Sequence, residues 1–351
     1  MFIDRDNYMR AVRFERPDYI PILAGFNAAC WHHYPPEALQ ALRASHPRIF
    51  PLYDPDADLT LPEYGPNARA GVAYTDDFGC VWTTTDDGIT GTVTGHPLAD
   101  WSALDAYEPP DPAISSGLGY IDWDGVRHAY SQLHDVGGLA LGGLRHGHTF
   151  LALSDIRGYE NLVYDMVDEE PRLWRLIDML ERFNMGIVRR MIAAGADVIS
   201  YPEDLGMQRG PMLSPAQFQK YILPSYRRLM VPAHEAGLVV HMHSDGDIRT
   251  LVDDLAAGGV DIINLQDLVN GIDWIAERLA GRMCIDLDVD RQQVTRYGTP
   301  AEIDALIRRE AETLGRKEGG LIMTFGLYPG TPLENVAALL DAFDRYSTYY
   351  S

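Results

Sequence analysis

The chain has 351 residues, 46% of them hydrophobic, with 51 acidic side chains against 29 basic ones and a formal net charge of −22. Apolar content of that order suits a globular protein with a large core, and the charge argues against nucleic acid or an anionic membrane as a partner, leaving a small molecule as the expected substrate. Three scattered cysteines, Cys30, Cys80 and Cys284, form no CxxC pair, which excludes a disulfide framework and points to a reduced, cytoplasmic setting.

The polar opening 1–7 is unlike a secretory signal, and no apolar run approaches the roughly 18–20 residues that span a bilayer. A helix is expected over 7–15 and a first strand over 19–23, interrupted by Pro21. From 30 to about 110 the text is irregular and rich in Pro, Asp and Gly. Within it, 71–74 and 81–85 read as short strands around the turn Asp76-Asp77-Phe78-Gly79. That stretch reads as a decoration over one end of a single 1–351 domain.

After residue 123 a regular alternation begins. Strands are expected at 139–143, 198–201, 238–243, 261–264, 283–286 and 321–325. Helices are expected at 159–165, 171–194, 215–236, 248–257, 274–279, 300–314 and 333–346. Pro224 and Pro232 should kink or split the third helix of that series. Ser214-Pro215 and Thr299-Pro300-Ala301-Glu302 carry helix-start signals, and Gly237 is a stop. Strand and helix alternating at this spacing mean parallel strands with crossover helices. The count favours a (β/α)8 TIM barrel whose eighth strand has no clear place in the text.

In such folds ligands sit at the C-terminal ends of strands, and the polar residues there are the site candidates. Leu238-Val239-Val240 leads into His241-Met242-His243-Ser244-Asp245. Histidines at i and i+2 of an extended chain share a face and could hold a metal together, with Asp245 as a further ionisable group. Glu203 and Asp204 follow the preceding strand, and either could be a metal ligand or a general base. Arg145-His146-Gly147-His148 follows the strand at 139–143; one of the two imidazoles should contact substrate. Trp31-His32-His33 follows the first strand and could form an aromatic lid or supply His33. Asp286 leads an alternating Asp286, Asp288, Asp290 series, and Phe325 and Tyr328 could stack on a flat substrate.

Several segments resemble the uroporphyrinogen decarboxylase-like superfamily: Arg10-Ala-Val-Arg-Phe-Glu-Arg-Pro-Asp-Tyr-Ile-Pro21, Gly210-Pro-Met-Leu-Ser-Pro-Ala-Gln-Phe218 with Ile222-Leu-Pro224, and Gly319-Gly320 with Pro332-Leu-Glu-Asn335. The resemblance runs over essentially the whole chain and implies an (α/β)8 barrel with its site at the C-terminal mouth. The decarboxylase itself carries arginines after its first strand to grip a substrate of many carboxylates. Here the run Ala24-Gly-Phe-Asn-Ala-Ala-Cys-Trp-His-His33 holds none, so uroporphyrinogen is not the expected substrate.

Corrinoid-linked methyltransferases of the superfamily bind zinc through His-x-Cys at the end of the strand corresponding to 238–243, plus a later Cys. This chain has His241-x-His243, and Leu327 lies near the later position. The resemblance therefore implies Zn2+ held by His241, His243 and a carboxylate, Glu203 or Asp204. It also implies methyl transfer between a small O- or S-methyl substrate and a corrinoid supplied by a partner protein. Fewer thiolates would leave such a metal a stronger Lewis acid. Two alternatives remain. One is a metal-free decarboxylase or lyase binding a small acid through Arg145 and His148; the other is a non-catalytic corrinoid- or tetrapyrrole-binding protein.

Overall fold

The computed structural model describes residues 2–349. They form two compact units, one made by residues 66–263 and the other by the stretches on either side of it. Seven strands, β1 (Ile22–Phe26), β2 (Leu141–Gly143), β3 (Val198–Pro202), β4 (Val239–Ser244), β5 (Ile262–Gln266), β6 (Cys284–Asp288) and β7 (Leu321–Leu327), belong to one sheet in the order β1-β7-β6-β5-β4-β3-β2. The pairs β1–β7, β6–β7, β2–β3 and β3–β4 are parallel, and helices connect the strands, as the (β/α)8 class requires. Among the described residues the sheet has seven strands; the eighth, unplaced in the sequence, is not in it.

In the 66–263 unit, β4 is buried at every position except the half-buried His243, as a run opening on two valines between covering helices should be. The helix Pro171–Ala194 begins with Pro171 in its first turn and ends on Gly195 at φ 96°. Leu173, Leu176, Ile177, Leu180, Phe183, Ile187, Val188 and Met191 fall on one stripe at helical spacing and are buried. The expected helix over 215–236 divides ahead of Pro224, whereas Pro232 lies inside the helix that follows without splitting it. A turn at Pro215–Gln217 passes into a wide π segment, Phe218–Ile222, before Leu223–Glu235 resumes. Pro224, which has no N–H to donate, sits in that last helix's first turn.

The irregular segment yields a three-stranded antiparallel sheet, Tyr74–Thr75, Val81–Thr83 and Thr92–Gly95; only its first two strands were legible. Asp76, 4% exposed, holds the turn between them. Its Oδ1 accepts the N–H of Phe78 and Cys80, and its Oδ2 accepts the indole N–H of Trp82 at 2.9 Å and Arg145 Nη1 at 3.3 Å.

In the other unit the first strand starts three residues later than expected. Residues 18–19 are held by Asn7, whose side chain accepts Asp18 N–H at 2.7 Å and donates to Tyr19 C=O at 3.0 Å. The helix Pro300–Leu314 opens on a complete capping box: Thr299 N–H donates to Glu302, and Glu302 N–H to the Thr299 hydroxyl. On its inner face lies Glu310, fully buried, its carboxyl set against that of Asp267. Burial first, then neighbouring Asp267, raises the Glu310 carboxyl well above its usual range.

A folded-state value above the unfolded one means stability that is complete below the unfolded pKa and lost as pH rises through the folded one. Glu310→Gln keeps the shape and removes the ionisable group. The variant is expected to melt higher than the natural protein at pH 8, by roughly 2 °C or more, with the gap closing toward pH 5. Thermal scans at the two pH values check this; a gap that is equal or larger at pH 5 contradicts it.

Candidate metal centre

Three adjacent strand ends of the 66–263 unit are tied together by backbone hydrogen bonds. After β2 the chain continues alongside β3, with Leu144 N–H on Ser200 C=O and Gly147 N–H on Pro202 C=O. Between β3 and β4, Glu203 N–H meets His243 C=O at 2.9 Å and Leu205 N–H meets the Ser244 hydroxyl at 2.9 Å. Gly206 N–H binds Asp245 C=O, and Asp245 N–H binds Asp204 Oδ1, both at 3.1 Å. Gly206 and Gly246 press backbone on backbone: a Cβ on Gly246 would lie 2.2 Å from the Gly206 carbonyl carbon.

This framework brings His146, Asp204 and His243 together, one from each strand end, with one ligand atom of each within 4.8 Å of the others. Asp204 Oδ1 stands 3.3 Å from His146 Nε2 and 3.5 Å from His243 Nε2, and the two imidazole centroids are 5.6 Å apart. The site opens outward, the side chain of His146 being 51% exposed. Burial opposes ionisation of Asp204, yet hydrogen bonds from His146 and His243 outweigh it and hold the carboxyl well below its usual range. Two imidazole nitrogens and a carboxylate oxygen are a competent donor set for a borderline divalent cation, with coordination positions left open. Asp245 lies beside it, its Oδ1 3.9 Å from His243 Nε2.

Of the metal set expected from sequence, His243 and the alternative carboxylate Asp204 lie in this cluster; His241 and Glu203 do not. Residues two apart on a strand share a face but stand about 6.5 Å apart. His241 thus lies deeper along β4, 9% exposed, its Nδ1 against the Ser200 hydroxyl at 2.9 Å. Glu203 points the opposite way from Asp204, as neighbours on an extended chain do. It is fully buried, accepting the N–H groups of Thr149, Phe150 and Leu151 and the Tyr226 hydroxyl.

His146, expected to contact substrate, supplies the third donor. His148 is 0% exposed, bonded through Nδ1 to the Thr149 hydroxyl, and burial lowers its pKa. Gly147 separates the two with φ at 73°, so one ring faces out and the other in. Tyr226, which caps the buried carboxylate, lies near the start of the helix Leu223–Glu235, between Ser225 and Arg227, and had no signal in the sequence.

The other expected residues have partners of their own. Arg145 binds Asp76 and Asp155 and lies over the rings of Phe78 and Trp82; burial keeps the Asp155 carboxyl raised to about 6 against the pull of Arg145. In the second unit, Asp286 is buried and accepts the Thr324 hydroxyl at 2.5 Å. Phe325 is core at 2% exposure, whereas Tyr328, 42% exposed, lies under Arg291. His33 is exposed at the end of the turn Cys30–His33, edge-on to Tyr34.

The family profile for uroporphyrinogen decarboxylase (URO-D) matches residues 75–346, a span that includes every residue of the centre. The chain belongs to the URO-D family. Curated relatives include the uroporphyrinogen decarboxylases of Thermus thermophilus (28% identical over 182 residues, 49% of this chain and 48% of that protein) and Homo sapiens (26% over 168 residues, 44% and 42%). The chain spans about half the length of the curated relatives it matches. Among solved structures, a methyltransferase from Methanosarcina mazei aligns over the full length of both chains at a TM-score of 0.65 and 19% identity. That similarity shows the URO-D chain to share its fold. Among the described residues no helix is long and apolar enough to cross a membrane.

Proposed function

We propose that this URO-D family member transfers a methyl group between a small O- or S-methyl compound and a corrinoid carried by a separate protein. His146, Asp204 and His243 would hold a divalent cation, Zn2+ being the expected one. The observation that carries this reading is the convergence of those three donors from consecutive strand ends. When bound, such a cation supplies Lewis acidity at the oxygen or sulfur that carries the methyl group.

The chain's own groups have distinct tasks in this reading. Asp204, held as a carboxylate, offsets the cation's charge and is fixed in direction by the Asp245 amide. His146 and His243 present Nε2 toward it. Asp245, with a side chain 39% exposed, stands at the open side, where it can orient a hydroxyl or water of the substrate. Carbon–heteroatom cleavage sends the methyl group to the reduced corrinoid, and the electron pair stays on the departing oxygen or sulfur, which takes up a proton. The full alignment with the M. mazei methyltransferase is consistent with this reaction class.

Decarboxylation of a small acid through Arg145 and His148 has less support, because Arg145 is committed to two carboxylates and His148 is sealed in. Incubation with reduced cobalamin and a panel of methyl ethers and thioethers tests the reading. Methylcobalamin, read by its absorbance, is expected with at least one donor and should vanish with chelator. No methylation across the panel, with chelator-insensitive release of CO2 from small acids, contradicts it.

A further inference from the structure

We infer that Glu203 is a positioning residue for the metal centre, a buried clamp that sets His146 against Asp204; this rests on the metal reading given above. The helix Phe150–Arg157 receives no side-chain cap from Thr149, whose hydroxyl is instead engaged by His148 at 2.7 Å. The negative group at that helix start comes from another strand. Glu203 Oε2 accepts the N–H of Thr149 at 3.1 Å and of Phe150 at 2.9 Å, and Oε1 accepts Leu151 N–H at 2.9 Å. Tyr226 donates its hydroxyl to Oε2 at 2.6 Å.

A carboxylate without solvent exposure is costly unless hydrogen-bonded, and four donors aimed at one group, three of them at a helix N-terminus, satisfy it. The consequence lies next door. His146 is three residues before Thr149, and Asp204 is the residue after Glu203. Glu203 turns inward and fastens the segment carrying His146, while Asp204 turns outward and meets the His146 ring at 3.3 Å. One dipeptide therefore fixes both the loop and the ligand.

Groups that orient metal ligands typically change affinity by about 10–100-fold when removed. The test is a cobalt(II) titration against a chromophoric chelator, with the bound-cobalt absorption spectrum and the melting temperature of metal-free protein recorded alongside. Glu203→Gln, which cannot accept all four donors, is expected to weaken cobalt binding by about 10–100-fold and to alter the spectrum. In a His146→Ala background the same change should cost nothing further, because its effect passes through that imidazole.

Unchanged affinity overturns the proposal, as does an equal loss in both backgrounds, which is what general loosening would give. Should Glu203→Gln fail to fold, Tyr226→Phe decides: a several-fold loss confined to the His146 background supports the clamp, and none overturns it. Natural protein that binds no cobalt removes the metal reading and the clamp together. Binding that these variants leave untouched removes the clamp alone.

Discussion

Replacing His243 with alanine is expected to strip the protein of its divalent cation while leaving the fold in place. The ring contributes one of three donors, so its loss should exceed the roughly 10–100-fold cost of losing a group that only orients a ligand. Its side chain is 24% exposed, at the rim rather than in the interior, so truncation opens no closed cavity and stability should change little. Asp204→Asn is the companion variant. It keeps the size and an oxygen for the Asp245 amide but removes the charge, and its affinity should fall by a comparable factor. Equilibrium dialysis with metal analysis measures both. Full occupancy in either variant contradicts the assignment, whereas an equal loss in His241→Ala would point to a deeper site along β4.

Gly246→Ala should be among the most damaging single-methyl additions in the 66–263 unit. The residue has φ of 82°, a conformation unfavourable for a residue with a Cβ. The added carbon would meet the Gly206 carbonyl carbon, oxygen and Cα at 2.2, 2.4 and 2.6 Å. All three are backbone, so no flexible side chain can yield. The strands must part, and they carry Asp204, His243 and Asp245. Strain and clash together are expected to cost at least about 3 kcal/mol, with metal binding weakened in whatever folded protein remains. Denaturant unfolding with and without cation measures both; a variant within ~0.5 kcal/mol of the natural protein would show that the two loops are not in contact.

Three helices were legible from a proline at their start, although the helix Pro36–Ser45, which opens the same way, was not. Pro171, Pro300 with its Thr299–Glu302 box, and Pro332 before the helix Leu333–Tyr346 each mark a start, and those helices have the expected bounds. Strands were less sharp, because an apolar run does not say where pairing begins. β1 starts after Pro21 since Asn7 holds the residues before it. The third strand of the small sheet, Thr92–Gly95, alternates exposed and half-buried residues and carried too little apolar signal.

At the centre, the text located the three strand ends but not the direction of each side chain. Glu203 and Asp204 are chemically alike and adjacent, and the extended backbone sends one inward and the other outward. His146 and His148 differ only by which side of the Gly147 turn they occupy. The pair His241 and His243 was legible as sharing a face, but convergence on one atom depends on distance along the strand, which spacing alone understates. What decided the ligand set was a contact between loops, and periodicity within one strand carries no information about its neighbours.

Anomalous scattering at the zinc edge from crystals grown with Zn2+ tests the central claim most directly. One peak is expected in contact with His146 Nε2, His243 Nε2 and a carboxylate oxygen of Asp204. A peak centred on His241 and Glu203, or no peak at this rim at saturating zinc, would contradict the account.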